Sequence, residues 1–573
     1  MPQVVTVDEE RPLDLHLDVP PRTRVAMTGL PTGARFMEAE RRLVFTPDAI
    51  QGPATHAVTV VLRNDNEVRE HAMSLVIRDA VALPPIRVTD REVLTDVTIL
   101  HLEQTTTAWL DVEKRSFEAT LSIPHPASER LPVLVRMHGF GDAAFDIEPS
   151  FDAIVLRPED PDTTYWWGYQ APNGTFVPYT LRRVLHLLGW VIEQFPQADP
   201  ERVRVEGMSM GGFGALMFGA HHARHIAMVD ARLSQPVPLL HRDHRIRSLR
   251  DVWGPTPAPR GPDPWKLGDF TWLLRHQPAT REQLYYLRNR KDDSAIFFRS
   301  FGGPSPFTRR STVTALAEFT AGHVVYWDEG SHTEPDPLLH EDWWESESDL
   351  LLDGTTFVAR SLSFPAFTQA SDDSDPGDGQ RRPGVPLRQD GDYSGHVAVP
   401  YDSGWSGDRT GTINHGLRWD ARRLVDTWER WSVPLRTKGG QPRTVAVTPR
   451  RVQAFHLKPG EAVDWQYGTQ QGRVRADAAG AVTISDLPID GQWRSLDLFR
   501  VDVATNDDGV ALSDPSFGPP APGDRSAASQ CRPANEQTRD GHATPRPNRD
   551  PDLGRATPHC RTSHGSYDDM PHK

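Results

Sequence analysis

The stretch RVRVEGMSMGGFGAL, from Arg202 to Leu216, predicts how the middle of this chain folds. RVRVEG alternates charged and apolar side chains, which predicts a β-strand, and the alanine-, glycine- and leucine-rich stretch after Ser209 predicts a helix packed closely behind it. Gly207, Ser209 and Gly211 follow the pattern G-x-S-x-G, in which a strand turns sharply into a helix. A Cβ at either glycine would clash with a neighbouring strand or helix. The stretch therefore predicts an α/β fold that presents Ser209 as a nucleophile; the alternative is a plain serine in a glycine-rich turn.

The surrounding sequence, from about residue 90 to residue 350, alternates strands with helical periods. Pro132–Gly139 and Asp152–Pro158 are β-rich runs on either side of a polar segment. A helix is predicted between Pro158 and Arg202, because its apolar residues recur at helical spacing on one stripe. Those residues are Leu181, Val184, Leu185, Leu188, Ile192 and Phe195. Such βαβ units predict a doubly wound, largely parallel sheet with helices on both faces.

All-β segments are predicted on both sides of this α/β domain. Residues 1–85 contain short strands between turn residues and predict a β-sandwich, and GLPTGARFMEAERRLVFTP resembles the Ig-like repeats attached to bacterial extracellular enzymes. Residues 355–505 return to strand-like runs and predict a C-terminal β-sandwich. Residues 510–573 have few large apolar side chains and are predicted to be disordered.

Charge and composition exclude several classes of protein. A formal net charge of −15 argues against nucleic-acid binding, which concentrates Lys and Arg on one face. The only two cysteines, Cys531 and Cys560, lie in the predicted tail, so neither a disulfide framework nor a thiolate metal site is expected. No apolar run is long enough to span a membrane, and no signal peptide is visible at the start. We expect an extracellular or periplasmic protein, although this chain carries no visible signal peptide, and we expect no cofactor and no bound metal.

A serine nucleophile needs a histidine base and a carboxylate that orients it, in the chain order Ser, Asp, His for this turn. A predicted strand at Leu284–Arg288 runs into a polar loop with Asp292 and Asp293. A second, at His323–Trp327, runs into a loop with His332. Carboxyl ends of parallel strands meet at one edge of a sheet, so we expect these side chains to lie near Ser209. From the residues alone, both aspartates remain candidates.

The oxyanion formed by attack on a carbonyl needs two fixed hydrogen-bond donors. One is the backbone N–H of the residue after the nucleophile, Met210, and the other comes from the loop after an early strand. HGFG, residues 138–141, occupies that loop, and we assign its Phe140 N–H as the second donor. The alternative is a simple strand-ending turn.

Four aromatic residues lie in the loop between the predicted oxyanion strand and Ser209. They are Tyr165, Trp166, Trp167 and Tyr169. Exposed rings there would bind sugar rings, phenolic acids or polyester chains, whereas buried rings would only pack under the loop. His221 and His225 stand at helical spacing but lack a third metal ligand in the sequence.

Four segments together resemble the polyhydroxybutyrate depolymerase, feruloyl esterase and acetylxylan esterase group of α/β-hydrolases. They are LPVLVRMHGFGD, DPERVRVEGMSMGGFGAL, YYLRNRKDDSA and YWDEGSHT. The resemblance implies Ser209 as nucleophile, Asp292 as acid and His332 as base; it favours Asp292 over Asp293 because the family's aspartate stands three residues before a small apolar residue, here Ala295. The chain departs from the family in lacking the cysteine pair of many depolymerases and in having Ser331 and Thr333 where glycine is usual.

The resemblance implies hydrolysis of a carboxylic ester through an acyl-enzyme. The implied substrate is a polymeric ester, of the polyhydroxyalkanoate or esterified-polysaccharide type, or a small ester. Two alternatives stay open. One is a prolyl-oligopeptidase-like serine peptidase, although residues 1–80 are too short for its β-propeller. The other is a non-catalytic polymer-binding protein.

Overall fold

The computed structural model describes most of the first 501 residues. The described residues are 4–20, 23–31, 33–37, 40–64, 67–107, 110, 113–125, 130–141, 152–240, 243–260, 263–290, 310–328, 358–376 and 411–501. Contacts place Met1–Asp502 in one unit and Val503–Lys573 in another. The tail predicted at 510–573 lies outside the described residues.

The N-terminal residues form two small sheets around one hydrophobic cluster. Their strands are β1 (Val4–Asp8), β2 (Leu13–His16), β3 (Arg24–Thr28), β4 (Arg35–Met37), β5 (Arg42–Phe45), β6 (Ala54–Asn64) and β7 (Glu67–Arg78). The sheet orders are β1-β7-β6-β3 and β2-β5-β4. Alternate residues point inward, so that Leu43, Val58 and Leu75 from both sheets are almost fully buried together.

A large mixed sheet follows. Its strands are β8 (Ile86–Val93), β9 (Val97–Thr105), β10 (Ser116–Pro124), β11 (Leu131–Met137), β12 (Ile154–Pro158), β15 (Ala198–Met208), β16 (Met228–Arg232), β17 (Leu284–Arg290) and β18 (Gly322–Asp328). Between β12 and β15 in the chain, two short strands, β13 (Tyr169–Gln170) and β14 (Phe176–Val177), form a separate pair. Strands β12, β11, β15, β16, β17 and β18 are neighbours in that order and run parallel. Strands β10, β9 and β8 extend the sheet in antiparallel order beside β12. The carboxyl ends of the parallel strands therefore share one edge.

The described helices pack on one face of this sheet, whereas the βαβ pattern predicts helices on both faces. They are α1 (Tyr179–Gln194), α2 (Met210–His221), α3 (Asp243–Trp253), α4 (Pro264–Leu267), α5 (Phe270–His276), α6 (Pro278–Arg281) and α7 (Arg310–Glu318). The predicted apolar stripe of α1 is buried at Leu181, Val184, Leu185 and Leu188. Helix α2 is buried along almost its whole length, and its glycines allow close approach: a Cβ on Gly219 would lie 2.1 Å from the side chain of Val229 on β16. Within the described ranges, none of the helices has both the length and the apolar character that a membrane crossing needs.

The C-terminal strands cover part of the opposite face. They are β19 (Phe364–Thr368), β20 (Gly411–Ile413), β21 (Leu417–Trp419), β22 (Val425–Asp426), β23 (Arg430–Thr437), β24 (Arg443–Arg450), β25 (Ala462–Tyr467), β26 (Gln470–Arg475), β27 (Ile484–Ile489) and β28 (Arg494–Arg500). Most lie in two sheets, β19-β24-β27 and β21-β23-β28-β25-β26, with β22 paired to β23. Met228 and Tyr286 of the central sheet belong to their hydrophobic cluster. Strand β20 pairs antiparallel with β18 and completes a ten-stranded central sheet, so this region contributes a strand to the α/β layer.

An ion-pair cluster ties the N-terminal sheets to the chain after α2. Asp48, in the loop after β5, lies 2.6 Å from Nε2 of His225, and Arg224 donates to the carbonyl of Thr46 at 2.6 Å and to Gln51 at 2.9 Å. Burial alone would raise the pKa of Asp48, but His225 and Arg224 outweigh it and lower that pKa to about 2. The charged form of Asp48 therefore stabilises this contact.

Replacing Asp48 with asparagine is expected to lower the free energy of unfolding by about 2 kcal/mol at pH 7, because the pKa falls from 3.8 in the reference state to about 2. A carboxyl whose pKa is depressed by folding stabilises above its unfolded-state pKa, and that contribution is lost as the pH falls toward the folded-state value. The difference between wild type and Asp48→Asn should thus shrink between pH 4 and the lowest pH at which both fold, measured by urea denaturation. Asp14→Asn, which removes an exposed pair with Arg42 in the same region, serves as the control and should cost little. A pH-independent Asp48 effect would contradict the assignment.

Candidate active site

Ser209 occupies a sharp turn between β15 and α2. Strand β15 ends at Met208, helix α2 begins at Met210, and Ser209 has φ 58° and ψ −117°. A positive φ is strained for a residue with a Cβ and persists only where the surroundings hold it. Here the Ser209 N–H donates to the carbonyl of Arg232 on β16 at 2.9 Å, and its carbonyl accepts from Phe213 in α2 at 3.1 Å. The half-buried serine thus lies at the carboxyl edge of the sheet, in the strand–turn–helix context that the sequence predicts.

The two flanking glycines are required sterically. A Cβ on Gly207 would lie 2.3 Å from the carbonyl oxygen of Gly211, and a Cβ on Gly211 would lie 2.1 Å from that of Met137 and 2.6 Å from that of His138. These are main-chain atoms, which cannot swing aside as a side-chain tip can. The start of α2 therefore lies directly against the end of β11 and the residue that follows it.

Gly211→Ala is expected to lower the melting temperature and to reduce kcat by about 10- to 100-fold, because the added methyl group must push α2 and the end of β11 apart and small misplacements at a reacting centre are costly. Steady-state kinetics and thermal melting check both effects. Gly439→Ala is the control, because it adds the same methyl group at a position with nothing within 4 Å. Its φ of 76° is unfavourable for alanine and should lower stability somewhat, but kcat should not change. Equal behaviour of the two variants would contradict the close contact.

The predicted oxyanion loop follows β11. It comprises residues 138–141; Gly141 has φ 80°, and the Phe140 side chain is 45% exposed. The N–H of Met210 belongs to the first turn of α2, where amides have no intrahelical acceptor and favour negative charge. Because Gly211 contacts Met137 and His138, the segments that carry the two proposed donors, Met210 and Phe140, adjoin each other.

The aromatic loop is mostly buried, so its assignment as a substrate surface needs correction. Trp166 is fully buried against Gly214 of α2, Trp167 is 3% exposed and donates from its indole to the carbonyl of Pro264 at 3.2 Å, and Tyr165 is 9% exposed. Tyr169 is half-buried, edge-on to Tyr179. Tyr165, Trp166 and Trp167 therefore pack under the loop, as the second interpretation of these rings holds, and Gly214 of α2 leaves room for the indole ring of Trp166. These three side chains are no surface for a substrate.

The predicted acid and base lie outside the described residues: Asp292, Asp293 and His332. The strands before them are described. Strand β17 ends at Arg290 and β18 ends at Asp328, and these two residues are partners across the parallel pair. Strands β17 and β18 therefore end at the edge that carries Ser209, with β16 between β15 and β17. The roles of the three side chains remain predictions.

A buried cluster of charges, which sequence reasoning missed, lies on the sheet face opposite the helices. Asp230 on β16 is fully buried and accepts from Arg204 at 2.7 Å, from Arg232 at 3.1 Å and from Arg288. Burial alone would raise its pKa, but the three guanidinium groups outweigh it and hold the pKa below the ordinary value. The cluster includes the residue whose carbonyl holds the Ser209 N–H, Arg232.

Glu206 on β15 continues this cluster toward β11. It accepts from Arg136 at 2.6 Å and from Arg204 at 3.0 Å. Burial opposes its ionisation, but Arg136, Arg204 and Arg232 outweigh it and lower the pKa of Glu206 below its ordinary value. One feature of the sequence relates to this cluster: charged residues stand at every second position of the strands around Ser209. By itself, that alternation predicts a strand with one face exposed to solvent, not a buried cluster.

The histidines near α2 have separate partners. His221 lies 2.8 Å from the carbonyl of Leu267 and stacks on Trp167, whereas His225 bonds to Asp48. Burial lowers the pKa of His221 to about 4. These contacts do not direct the two rings toward a shared ion. Asp90, Glu92 and His101, on strands β8 and β9, bring three possible metal ligands within 4.8 Å of one another, with both carboxylates exposed.

A mixed sheet with six neighbouring parallel strands, a serine at a strained strand-to-helix turn on their carboxyl edge and a backbone loop beside that turn define an α/β-hydrolase-like fold. No protein-family model matches the chain, and no curated protein matches its sequence. Similar solved structures include an S-formylglutathione hydrolase from Agrobacterium tumefaciens, with 15% identity, a TM-score of 0.35 and coverage of 43% of this chain and 92% of that one. A ferulic acid esterase is 13% identical, with a TM-score of 0.30, and the match covers 44% of this chain and 95% of the esterase. Pyrococcus horikoshii acylaminoacyl peptidase is 12% identical, with a TM-score of 0.30, and the match covers 49% of this chain and 50% of the peptidase.

Proposed function

We propose that this protein is a serine hydrolase that cleaves carboxylic esters through an acyl-enzyme. The observation that carries the proposal is the conformation of Ser209, whose φ of 58° holds a hydroxyl-bearing side chain at the carboxyl edge of the sheet. A strained non-glycine residue at a strand-to-helix turn is costly to a fold and is retained where its side chain must be presented.

In the proposed reaction, Ser209 Oγ attacks the ester carbonyl while His332 accepts its proton and Asp292 orients His332. The negative charge moves to the carbonyl oxygen, which accepts hydrogen bonds from the N–H groups of Met210 and Phe140. Collapse breaks the bond to the alcohol, which leaves with the proton returned by His332. Water then attacks the acyl-enzyme by the same steps and releases the acid.

We further propose a polymeric ester as substrate. Two large apolar side chains are exposed on the segments that follow the strands next to β15: Phe140, after β11, and Leu239, after β16, are 45% and 44% exposed. Strands β11 and β16 are the two neighbours of β15, so these side chains lie on the segments that follow the strands to either side of the Ser209 strand. Exposed apolar groups beside a nucleophile suit an ester with apolar acyl or alcohol parts. An insoluble polymer cannot enter a cell, so we place the protein outside the cytoplasm.

The test compares wild type with Ser209→Ala on p-nitrophenyl esters of increasing acyl length, on a polyhydroxybutyrate film, on feruloylated xylan and on peptide anilides. Ester turnover that depends on Ser209, with soluble products from one polymer, is the expected result. Turnover of peptide anilides alone would replace the proposal with a serine peptidase. Binding to the polymers without turnover by either protein would replace it with a polymer-binding protein.

A further inference from the structure

We propose that His138 is a positioning residue that aims the Phe140 N–H at the substrate oxyanion. This inference rests on the proposed function, because it concerns one of the two donors of the oxyanion hole. His138 is the first residue after β11, and its ring makes hydrogen bonds at both nitrogens.

The two bonds determine the tautomer of the ring. The backbone N–H of Asp160 donates to Nε2 of His138 at 3.0 Å, so Nε2 is an acceptor and carries no proton. Nδ1 lies 2.7 Å from the carbonyl oxygen of Gly139, which can only accept, so Nδ1 carries the proton and donates it. Each nitrogen has one defined role.

The bond from Nδ1 then determines the direction of the next amide. The carbonyl of Gly139 and the N–H of Phe140 are the two ends of one planar trans peptide, and they point in opposite directions. A ring that holds the Gly139 oxygen on one side therefore directs the Phe140 N–H to the other side. His138 thus controls the donor without touching the substrate.

A second layer holds the ring in place. The Trp166 indole donates to the carbonyl of His138 at 3.1 Å, and the two rings meet edge to face with centroids 4.9 Å apart. The buried carboxyl of Asp160 accepts hydrogen bonds from the backbone N–H of Trp166 and from the hydroxyl of Thr164, each at 2.9 Å. Tyr165 and Trp166 have φ of 57° and 60°, a strained pair that these bonds hold. The buried aromatic loop therefore supports the oxyanion loop from behind.

Two substitutions separate the two bonds of the ring. His138→Asn places an amide N–H near the position of Nδ1 and retains a donor to Gly139, but it cannot reach the Asp160 N–H. His138→Gln places its amide near the position of Nε2 and retains an acceptor for Asp160, but it offers nothing to Gly139. We expect kcat to fall about 10- to 100-fold in His138→Gln and His138→Ala with KM little changed, since a lost oxyanion donor costs about 10²- to 10³-fold. His138→Asn should recover most of kcat.

A purely structural role for His138 predicts the opposite order, because the contact with Asp160 anchors the loop. Equal loss in the Asn and Gln variants, or a better Gln variant, would overturn the proposal. The exposed His71→Gln is the matched control and should leave kcat unchanged. A wild type without Ser209-dependent turnover would instead refute the proposed function, which keeps the two failures distinct.

A measurement on the wild type alone covers the case in which the variants do not fold. In a neutron crystal structure, which shows hydrogen positions, the His138 ring is expected to carry a proton on Nδ1 and none on Nε2. A ring protonated at Nε2 would overturn the proposal, because Nδ1 could then not donate to Gly139.

Discussion

Ser209→Ala is expected to lower kcat by roughly 10⁴- to 10⁶-fold on any ester that the wild type cleaves, because removal of the nucleophile leaves only binding and the oxyanion hole. Stability should change little, since the side chain is small and half-buried. Initial rates with p-nitrophenyl esters measure the first effect, and thermal melting measures the second.

Ser116→Ala makes the same chemical change at an exposed position on β10 and should retain full activity. A fluorophosphonate reagent gives an independent measurement, because it forms a covalent bond with an activated serine. Mass spectrometry should find the modification on the peptide that contains Ser209 and on no other peptide. Undiminished turnover by Ser209→Ala would exclude the turn between β15 and α2 as the catalytic centre, whatever the substrate.

The largest expected effect on stability is that of Asp230→Asn, which removes a buried charge and hardly changes the volume. Asp230 is fully buried, and Arg204, Arg232 and Arg288 all contact it. Loss of one partner of a buried ion pair costs about 3 to 5 kcal/mol, because the remaining charges lose a counter-charge where water cannot replace it. Urea denaturation should show a lower midpoint with an unchanged m-value, and the midpoint shift multiplied by m should equal that free energy.

Asp464→Asn is the matched control, since it removes the same charge from an exposed pair with Arg473 on β26. Such surface pairs contribute about 0 to 1 kcal/mol. Similar losses in the two variants would show that the buried cluster does not stabilise the sheet. Strand β16 also holds the Ser209 N–H through the carbonyl of Arg232, so a fall in kcat alongside stability is expected for Asp230→Asn.

Local patterns were sufficient for the elements around the nucleophile. The predicted strand at Arg202–Gly207 lies within β15 (Ala198–Met208), and the glycine-rich stretch after Ser209 is helix α2. Periodicity and glycine spacing are properties of neighbouring residues, so they are visible without partners. The roles of Asp292 and His332 were inferred from chain order and resemblance, and both remain predictions.

Burial of polar and aromatic groups could not be predicted in the same way. The environment of Trp166 depends on Gly214, a residue far along the chain, and the alternative of an exposed ring was equally consistent with the sequence. Arg204 and Glu206 alternate with valines as if one side of β15 faced water, yet both are buried because Asp230 and Arg136 on neighbouring strands supply opposite charges. Whether a charge is compensated depends on which strands become neighbours.

By itself, the sequence determined the alternation of strands and helices, the sharp turn at Ser209 and the glycines that permit it, since each follows from patterns among residues close together in the chain. Only the tertiary structure decided that the aromatic loop lies beneath the oxyanion loop, that a cluster of charged side chains is buried on the sheet face opposite the helices and that His138 orients the peptide after Gly139. These features join residues distant in the chain, and their energies depend on burial and hydrogen-bond geometry that exist only once the chain has folded.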